Sequence, residues 1–440
     1  MISDHRFQYL KTVKGDEMSI AGNLHPEVDY GALVKADRIA TAMYNDPQIF
    51  ATEQDRIFKR SWVWVAHESE IAEPNNFKMS WVGTEPIIVT RDKAGGLHVL
   101  LNRCRHRAAS VCEKRSGKTS VFVCPYHGWS YEIDGALRKV PFKDGYAADL
   151  DPGELGLVSL RTETYNGMVF ATFLEDLIPL SEWLGPARKW LDLFMKQDAG
   201  FGIMALGEHK FRFPANWKIQ LEVTTDSYHF PIVHKTFLTS LDVETENLMD
   251  VLGHGGWIED LGNGHSVMVM MPDLIDLDEN TDVPIPERFA ALAAELKAEG
   301  HAEDLVRRIV RAVGGVGFNL NLFPNVACSL ALLRVLRPVA VDETEVQHIA
   351  LGMKDGPEAA NRMRMRLHER FQGPMGFGTP DDAECWERAQ RGVRAGEDMW
   401  IMLNRGMPGE GGTASSNHGD VSSETGMRAA YQMWKKMMAA

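Results

Sequence analysis

Four side chains within 24 residues constrain this chain more than any other feature of it. The row Asn102-Arg-Cys-Arg-His-Arg107 offers Cys104 and His106, and the row Val123-Cys-Pro-Tyr-His-Gly-Trp129 offers Cys124 and His127. Two short loops that each present one thiol and one imidazole can close a metal site from opposite sides. The fold around them must therefore hold two loop tips against each other. A Cys₂His₂ zinc would be structural and closed. A [2Fe–2S] centre with two thiolates on one iron and two imidazoles on the other uses the same four residues, and the Cys-x-His and Cys-x-x-His spacing favours it. Pro125 and Gly128 suit a tight second loop whose backbone can approach sulfur. Cys112 lies between the loops and fits neither row, so it reads as a free thiol, while Cys328 and Cys385 read as core fillers.

The surrounding sequence predicts such a module. Helical spacing of Ile49, Phe50, Ile57 and Phe58 runs into the alternating row Trp62-Val-Trp-Val-Ala66. Short apolar runs follow at Pro86–Thr90, Leu97–Leu101, Val121–Val123, Trp129–Tyr131 and Gly167–Phe173, with turn signals such as Ala94-Gly-Gly96 and Asp134-Gly135 between them. An all-β module over 45–175 is expected, preceded by a polar arm over 1–45. Beyond Pro179 the pattern is mixed. Phe289, Leu292, Ala293 and Leu296 share a helical face, Leu305, Ile309 and Val313 form another, and Ser266–Met271, Ala331–Val335 and Val346–Leu351 read as strands. The Gly- and Ser-rich stretch 408–426 is expected to be a surface loop, and Met427, Tyr431, Trp434 and Met438 form a docking stripe on a last helix.

A second cluster sits in Asn216–His234, where Asp226, His229 and His234 fall within nine residues. If Leu221–His229 is helical, Asp226 and His229 share a face, and Pro231 kinks the chain so that His234 returns to the same point. Two imidazoles leave a mononuclear iron one ligand short, and the 2-His-1-carboxylate set of non-haem Fe(II) oxygenases completes it with an acid while leaving positions open for O₂. The acidic row Gly378–Glu387 supplies candidates: Asp381 as the N-cap of a helix, and Asp382 pointing inward from its first turn. Val223, Phe230 and Val233, close to these ligands, are candidate pocket walls.

Charge and cysteine content narrow the class. With 47 Lys and Arg against 61 Asp and Glu, the formal charge of −14 argues against nucleic acid or anionic membrane as a partner. Five cysteines in 440 residues make no disulfide framework, which suits a reducing, cytoplasmic compartment. No leader pattern stands in Met1–Lys14, and no run approaches the ~20 apolar residues of a membrane span.

With both clusters in place, the chain resembles the large (α) subunit of Rieske non-haem iron aromatic-ring-hydroxylating oxygenases. The resemblance rests on Ile57-Phe-x-Arg-x-Trp62, Cys104-x-His106, Cys124-x-x-His127-Gly-Trp129, Asn216-Trp-Lys218, Asp226-x-x-His229-x₄-His234 and Asp382 ahead of Gln390-Arg-Gly392. It departs at Ala108, where a Gly commonly follows His-Arg, and at Glu222-Val223, where members usually carry Glu/Asn-Asn. It implies an α+β fold: an all-β Rieske [2Fe–2S] domain (45–175) and a larger catalytic mononuclear iron domain (1–44 and 176–440) with an antiparallel sheet flanked by helices. It implies that Cys104 and Cys124 hold one cluster iron, His106 and His127 the other, and His229, His234 and Asp382 the catalytic Fe(II). It further implies that Asp226 links His229 to His127 of the partner subunit, in a homotrimer or an α3β3 assembly with a small β subunit.

No Gly-x-Gly-x-x-Gly nucleotide fingerprint is evident, so electrons from NAD(P)H must arrive through a separate reductase, with or without a ferredoxin. The expected reaction is O₂-dependent cis-dihydroxylation of a single-ring aromatic such as an aromatic acid. Since −14 does not steer an anion inward, such a substrate would need a local cation in the pocket. A monooxygenase performing ring hydroxylation or O-demethylation shares every ligand. A metal-stabilised electron-transfer or binding protein is the alternative of another class.

Overall fold

The apolar runs around the first metal motif pair into a seven-stranded sheet, ordered Val63–His67, Met168–Thr172, Ser159–Tyr165, Leu97–Leu101, Glu85–Arg91, Asn76–Val82 and Ser116–Lys118. A three-stranded sheet of Val121–Val123, Ser130–Glu132 and Leu137–Lys139 lies beside it. The computed structural model describes residues 28–146, 151–240, 255–279, 282, 284–396, 399–407 and 417–439. Every strand pair is antiparallel, so tight turns suffice as connections and the two metal-motif loops emerge as neighbouring hairpin-like tips.

Two apolar cores result. The smaller one packs Phe77, Ile88, Leu100, Phe122, Trp129, Tyr131 and Leu157 around Cys104, Cys112 and Cys124. The larger one is continuous from Val63–Ala66 and Phe170 of the first sheet to the strands and helices beyond residue 180. One end of the β module is thus fused to the catalytic body, while the end with the metal motif keeps a core of its own.

The second body is an eight-stranded antiparallel sheet, ordered Ile203–Phe213, Glu343–Met353, Leu332–Ala340, Val326–Ser329, Phe318–Leu322, His265–Val269, Trp257–Gly262 and His418–Asp420. The helices Trp217–Val223, Glu358–Gln372, Thr379–Val393 and Thr425–Met438 flank it. Met427, Tyr431, Trp434 and Met438 all point into the core, as their helical spacing predicts. The two helical faces expected around Phe289–Leu296 and Leu305–Val313 belong to two helices, Ala290–Ala298 and Glu303–Val313. The intervening Gly300 adopts a φ of 91°, which ends the first helix in a turn.

Three expectations change. The arm over 1–45 lies partly outside the described residues, but its described end is structured. Arg38–Ala40 pairs with Trp400–Met402, and Met43 and Tyr44 are buried in the helix Ala42–Asn45. Within 408–426, residues 408–416 lie outside the described set, yet His418–Asp420 is an edge strand and Thr425 opens the last helix, so this is not one loop. Cys385 is exposed, because the buried stripe of its helix runs through Asp382, Trp386, Gln390 and Val393 instead. Cys328 is fully buried, and lack of solvent pushes its thiol far above the ordinary range.

Candidate metal centres

Each loop of the first cluster is closed by its own backbone. Cys104 N–H donates to Ala109 O (2.8 Å) and Ala108 N–H to Cys104 O (3.1 Å); in the second loop Cys124 N–H donates to Trp129 O (2.8 Å) and Gly128 N–H to Cys124 O (3.0 Å). Both turns need a left-handed residue: Gly128 has φ 74° and Ala108 has φ 60°. Gly is the natural choice at both, so Ala108 carries a strain of roughly 1 kcal/mol.

The loops bring the four predicted residues together. Cys104 and Cys124 are 3% and 2% exposed. The His106 and His127 rings lie 4.5 Å apart centre to centre, and His106 stacks on Trp129 at 5.2 Å. Tyr131 Oη lies 3.2 Å from Cys104 Sγ and accepts from Arg105 N–H at 3.0 Å. His106 Nδ1 is buried without a hydrogen-bond partner, and burial, His127 and Arg107 all hold its ring towards the neutral form. An orphaned, neutral imidazole nitrogen beside two buried thiols fits a cluster ligand set. His127 itself is at the surface, under Tyr126 at 3.9 Å.

The second cluster is built from two distant segments. The helix Trp217–Val223 is N-capped by Asn216, whose side chain accepts from Lys218 N–H at 3.1 Å. It ends at Thr224 and does not reach His229. Asp226 then closes the turn ahead of the next short helix, Phe230–Val233, accepting from Tyr228 N–H at 2.7 Å and His229 N–H at 3.4 Å. Pro231 sits in that first turn, where it lacks no needed bond, so it starts a helix and does not kink one. His234 N–H donates to Phe230 O at 3.0 Å, which returns its ring to the side of His229. The helix Thr379–Val393 begins at Gly378, one turn earlier than an Asp381 cap would place it, and Asp381 lies in the first turn beside the inward Asp382.

His229, His234 and Asp382 each aim one ligand atom at a common point, all within 4.8 Å of one another. Asp382 Oδ1 lies 3.0 Å from His234 Nε2 and 3.5 Å from His229 Nε2. Burial would raise the Asp382 carboxyl, but the two imidazoles outweigh it and hold the group far below the usual carboxylate range. Burial likewise opposes a charged His229, yet Asp226 and Asp382 flank the ring and keep its proton up to about 9. That proton occupies the place a metal would take. His234 Nδ1 has no partner, and the ring packs against Phe230 and Phe371 at 5.2 and 5.1 Å. Two imidazoles and one carboxylate around a shared point fit a mononuclear Fe(II) with open positions. Val223, Phe230 and Val233 are each half-buried beside these ligands.

Behind the site lies a buried network whose pairings the motifs do not reveal. Glu53 accepts from Lys218 Nζ (2.6 Å), Trp217 Nε1 (2.7 Å) and Trp434 Nε1 (2.7 Å). Glu222 accepts from the hydroxyls of Tyr44 and Tyr431, which lie 2.6 Å apart. Together these clamp the helix that leads into the iron-ligand segment. One signal for Glu53 exists: it occupies a core-facing position between Ile49 and Ile57.

A β module presenting two Cys/His loops, joined in one chain to a two-histidine, one-carboxylate site, defines a terminal oxygenase fed by an iron–sulfur cluster. Residues 61–159 match the Rieske [2Fe-2S] domain, and residues 203–440 match the ring hydroxylating alpha subunit (catalytic domain). The chain is 32% identical to the anthranilate 1,2-dioxygenase large subunit of Acinetobacter baylyi, over 84% of this chain and 80% of that one. It is 37% identical to the N,N-dimethyl phenylurea N-demethylase subunit alpha of Sphingobium sp., over 51% and 49% of the two chains. A solved naphthalene 1,2-dioxygenase with indole in its active site superposes with a TM-score of 0.76 at 27% identity, covering 94% of this chain and 95% of that one. The chain belongs to the ring-hydroxylating oxygenase α-subunit family. Its cofactors are accordingly a Rieske [2Fe–2S] cluster and a mononuclear iron. Among the described residues no helix is long and apolar enough to cross a membrane.

Proposed function

We propose that this terminal oxygenase cis-dihydroxylates a single-ring aromatic acid, with Cys104, His106, Cys124 and His127 holding the cluster and His229, His234 and Asp382 holding the catalytic iron. The observation that carries the site assignment is the convergence of three ligand atoms from segments about 150 residues apart on one buried point. The substrate class draws on the anthranilate dioxygenase relative. When bound, the cluster supplies electrons singly and the iron supplies O₂ activation.

The chain's own groups do the positioning. Asp226 fixes the His229 ring through its backbone-capped carboxylate, and Phe230 and Phe371 fix His234. Val223, Phe230 and Val233 form apolar wall that holds the ring of the substrate and excludes water. Electrons come from NAD(P)H through a separate reductase, with or without a ferredoxin. Among the described residues of one chain Asp226 contacts only Tyr228 and His229, and His127 is exposed. This favours delivery from His127 of the partner subunit to Asp226 in a homotrimer, or an α3β3 assembly with a small β subunit. The cytoplasm, where the thiol ligands stay reduced, is the fitting compartment.

The test is product analysis with ¹⁸O₂, NADH, a family reductase and a panel of benzoates. The reading expects both labelled atoms in one cis-diol. The N-demethylase relative favours a second reading, monooxygenation, which puts one labelled atom in product and one in water.

A further inference from the structure

Arg334 is a buried cation with no carboxylate in direct contact among the described residues. Its side chain is 5% exposed, on the strand Leu332–Ala340, and no carboxylate among the described residues lies within ion-pair distance. Its Nε donates to His348 Nε2 at 3.1 Å and its Nη2 to Gln372 Oε1 at 3.2 Å. Both acceptors are neutral. His348 is kept unprotonated by burial and by Arg334 itself, and its Nδ1 faces Gln372 O at 3.2 Å. Nη1 donates to nothing among the described residues. Burying a guanidinium costs several kcal/mol unless a counter-charge completes it, so an unpaired one points to an anion that arrives from outside.

Its location says which anion. Arg334 pairs across the sheet with His348 and Ala327, on the face covered by the helix Glu358–Gln372. Gln372, which steadies its fork, follows Phe371, the ring packed on His234. Gln372 O also accepts from Thr379, in the same helical turn as Asp382. Asp382 favours the charged guanidinium against the burial that opposes it. The guanidinium is therefore tied through Gln372 to the two residues, Phe371 and Thr379, that flank the iron-ligand set.

We infer that Arg334 is the specificity-determining residue of the site, receiving the carboxylate of an aromatic acid through its free Nη1 edge while the ring lies towards His229 and His234. This deepens the aromatic-acid reading and rests on it. The local cation that an acidic protein needs for an anionic substrate is thereby a single residue, oriented by His348 and Gln372.

The test is equilibrium dialysis of the iron- and cluster-loaded protein against benzoate, anthranilate and salicylate, each paired with its neutral amide. Wild type is expected to prefer at least one acid over its amide. Arg334→Gln should weaken that acid by at least about tenfold and leave the amide within about twofold, with iron and sulfide content unchanged. Arg334→Lys should fall between them; it keeps the charge if the Gln variant does not fold. An acid preference that survives in both variants overturns the anchor alone. A wild type that binds no acid better than its amide overturns the aromatic-acid reading and the anchor with it.

Discussion

His229 Nδ1 lies 3.2 Å from Asp226 Oδ2, on the opposite side of the ring from the nitrogen that faces Asp382. The contact is too oblique for a hydrogen bond in the metal-free geometry, and Asp226 is held there by its other oxygen, which accepts from Tyr228 N–H. One carboxylate thus links backbone, iron ligand and surface. Asp226→Asn keeps the backbone contact but removes the charge that orients the imidazole. It should lower turnover by about 10–100-fold, with cluster absorption and iron content close to wild type. Retained turnover would contradict the role given to Asp226.

Titration of the iron-free protein should show the same pair. His229 keeps its proton up to about 9 in the fold, against ~6.5 when unfolded. Its contribution to stability is therefore complete below about 6.5 and disappears as pH rises through about 9. Asp382 is shifted the other way, so its contribution is complete above about 4 and is lost on acidification. Melting temperature of the apoprotein should fall across the alkaline window, and His229→Gln should flatten that limb. Iron uptake should strengthen with pH over the same window, since protons compete for Nε2.

Tyr131 touches Cys104 Sγ, and a hydrogen bond to a ligand sulfur stabilises the reduced cluster. Tyr131→Phe should lower the cluster potential by roughly 60 mV, the equivalent of one hydrogen bond of about 1.4 kcal/mol in a one-electron couple. Redox titration followed by EPR measures it. An unchanged potential would show that the hydroxyl serves only Arg105 N–H.

The Glu53–Lys218 pair should behave as a buried clamp. Lys218→Met leaves Glu53 charged and uncompensated, a loss of about 3–5 kcal/mol, seen as a lower melting temperature together with weaker iron retention. Glu53→Gln combined with Lys218→Met should recover much of the loss. If the single change costs nothing, the clamp does not govern the ligand helix.

The sequence spoke most clearly where chemistry is local. Cys104, His106, Cys124 and His127 announce themselves by spacing within two short loops, and His229 and His234 do so within one segment. Asp382 lies about 150 residues further on and has no such signature; its place in the first turn of an acidic row suggests it, and the ordered resemblance of the whole chain supports the choice. Local geometry was harder. Pro231 reads as a kink, whereas the structure places it in the first turn of Phe230–Val233, where its missing N–H costs no helical bond. Asp381 looked like a cap for want of any marker at Gly378. Glu53, and the burial of Lys218 and Arg334, were hidden for another reason. A charge in an amphipathic pattern normally faces water, and only three-dimensional packing reveals that these do not.

The central claim is that His229, His234 and Asp382 hold one iron separate from the cluster. Iron and acid-labile sulfide per chain, measured in wild type and in His234→Ala, test it directly. About three irons and two sulfides should become about two irons and two sulfides, with the Rieske spectrum intact. A variant that keeps its third iron, or a wild type that holds zinc and no sulfide, would contradict the account.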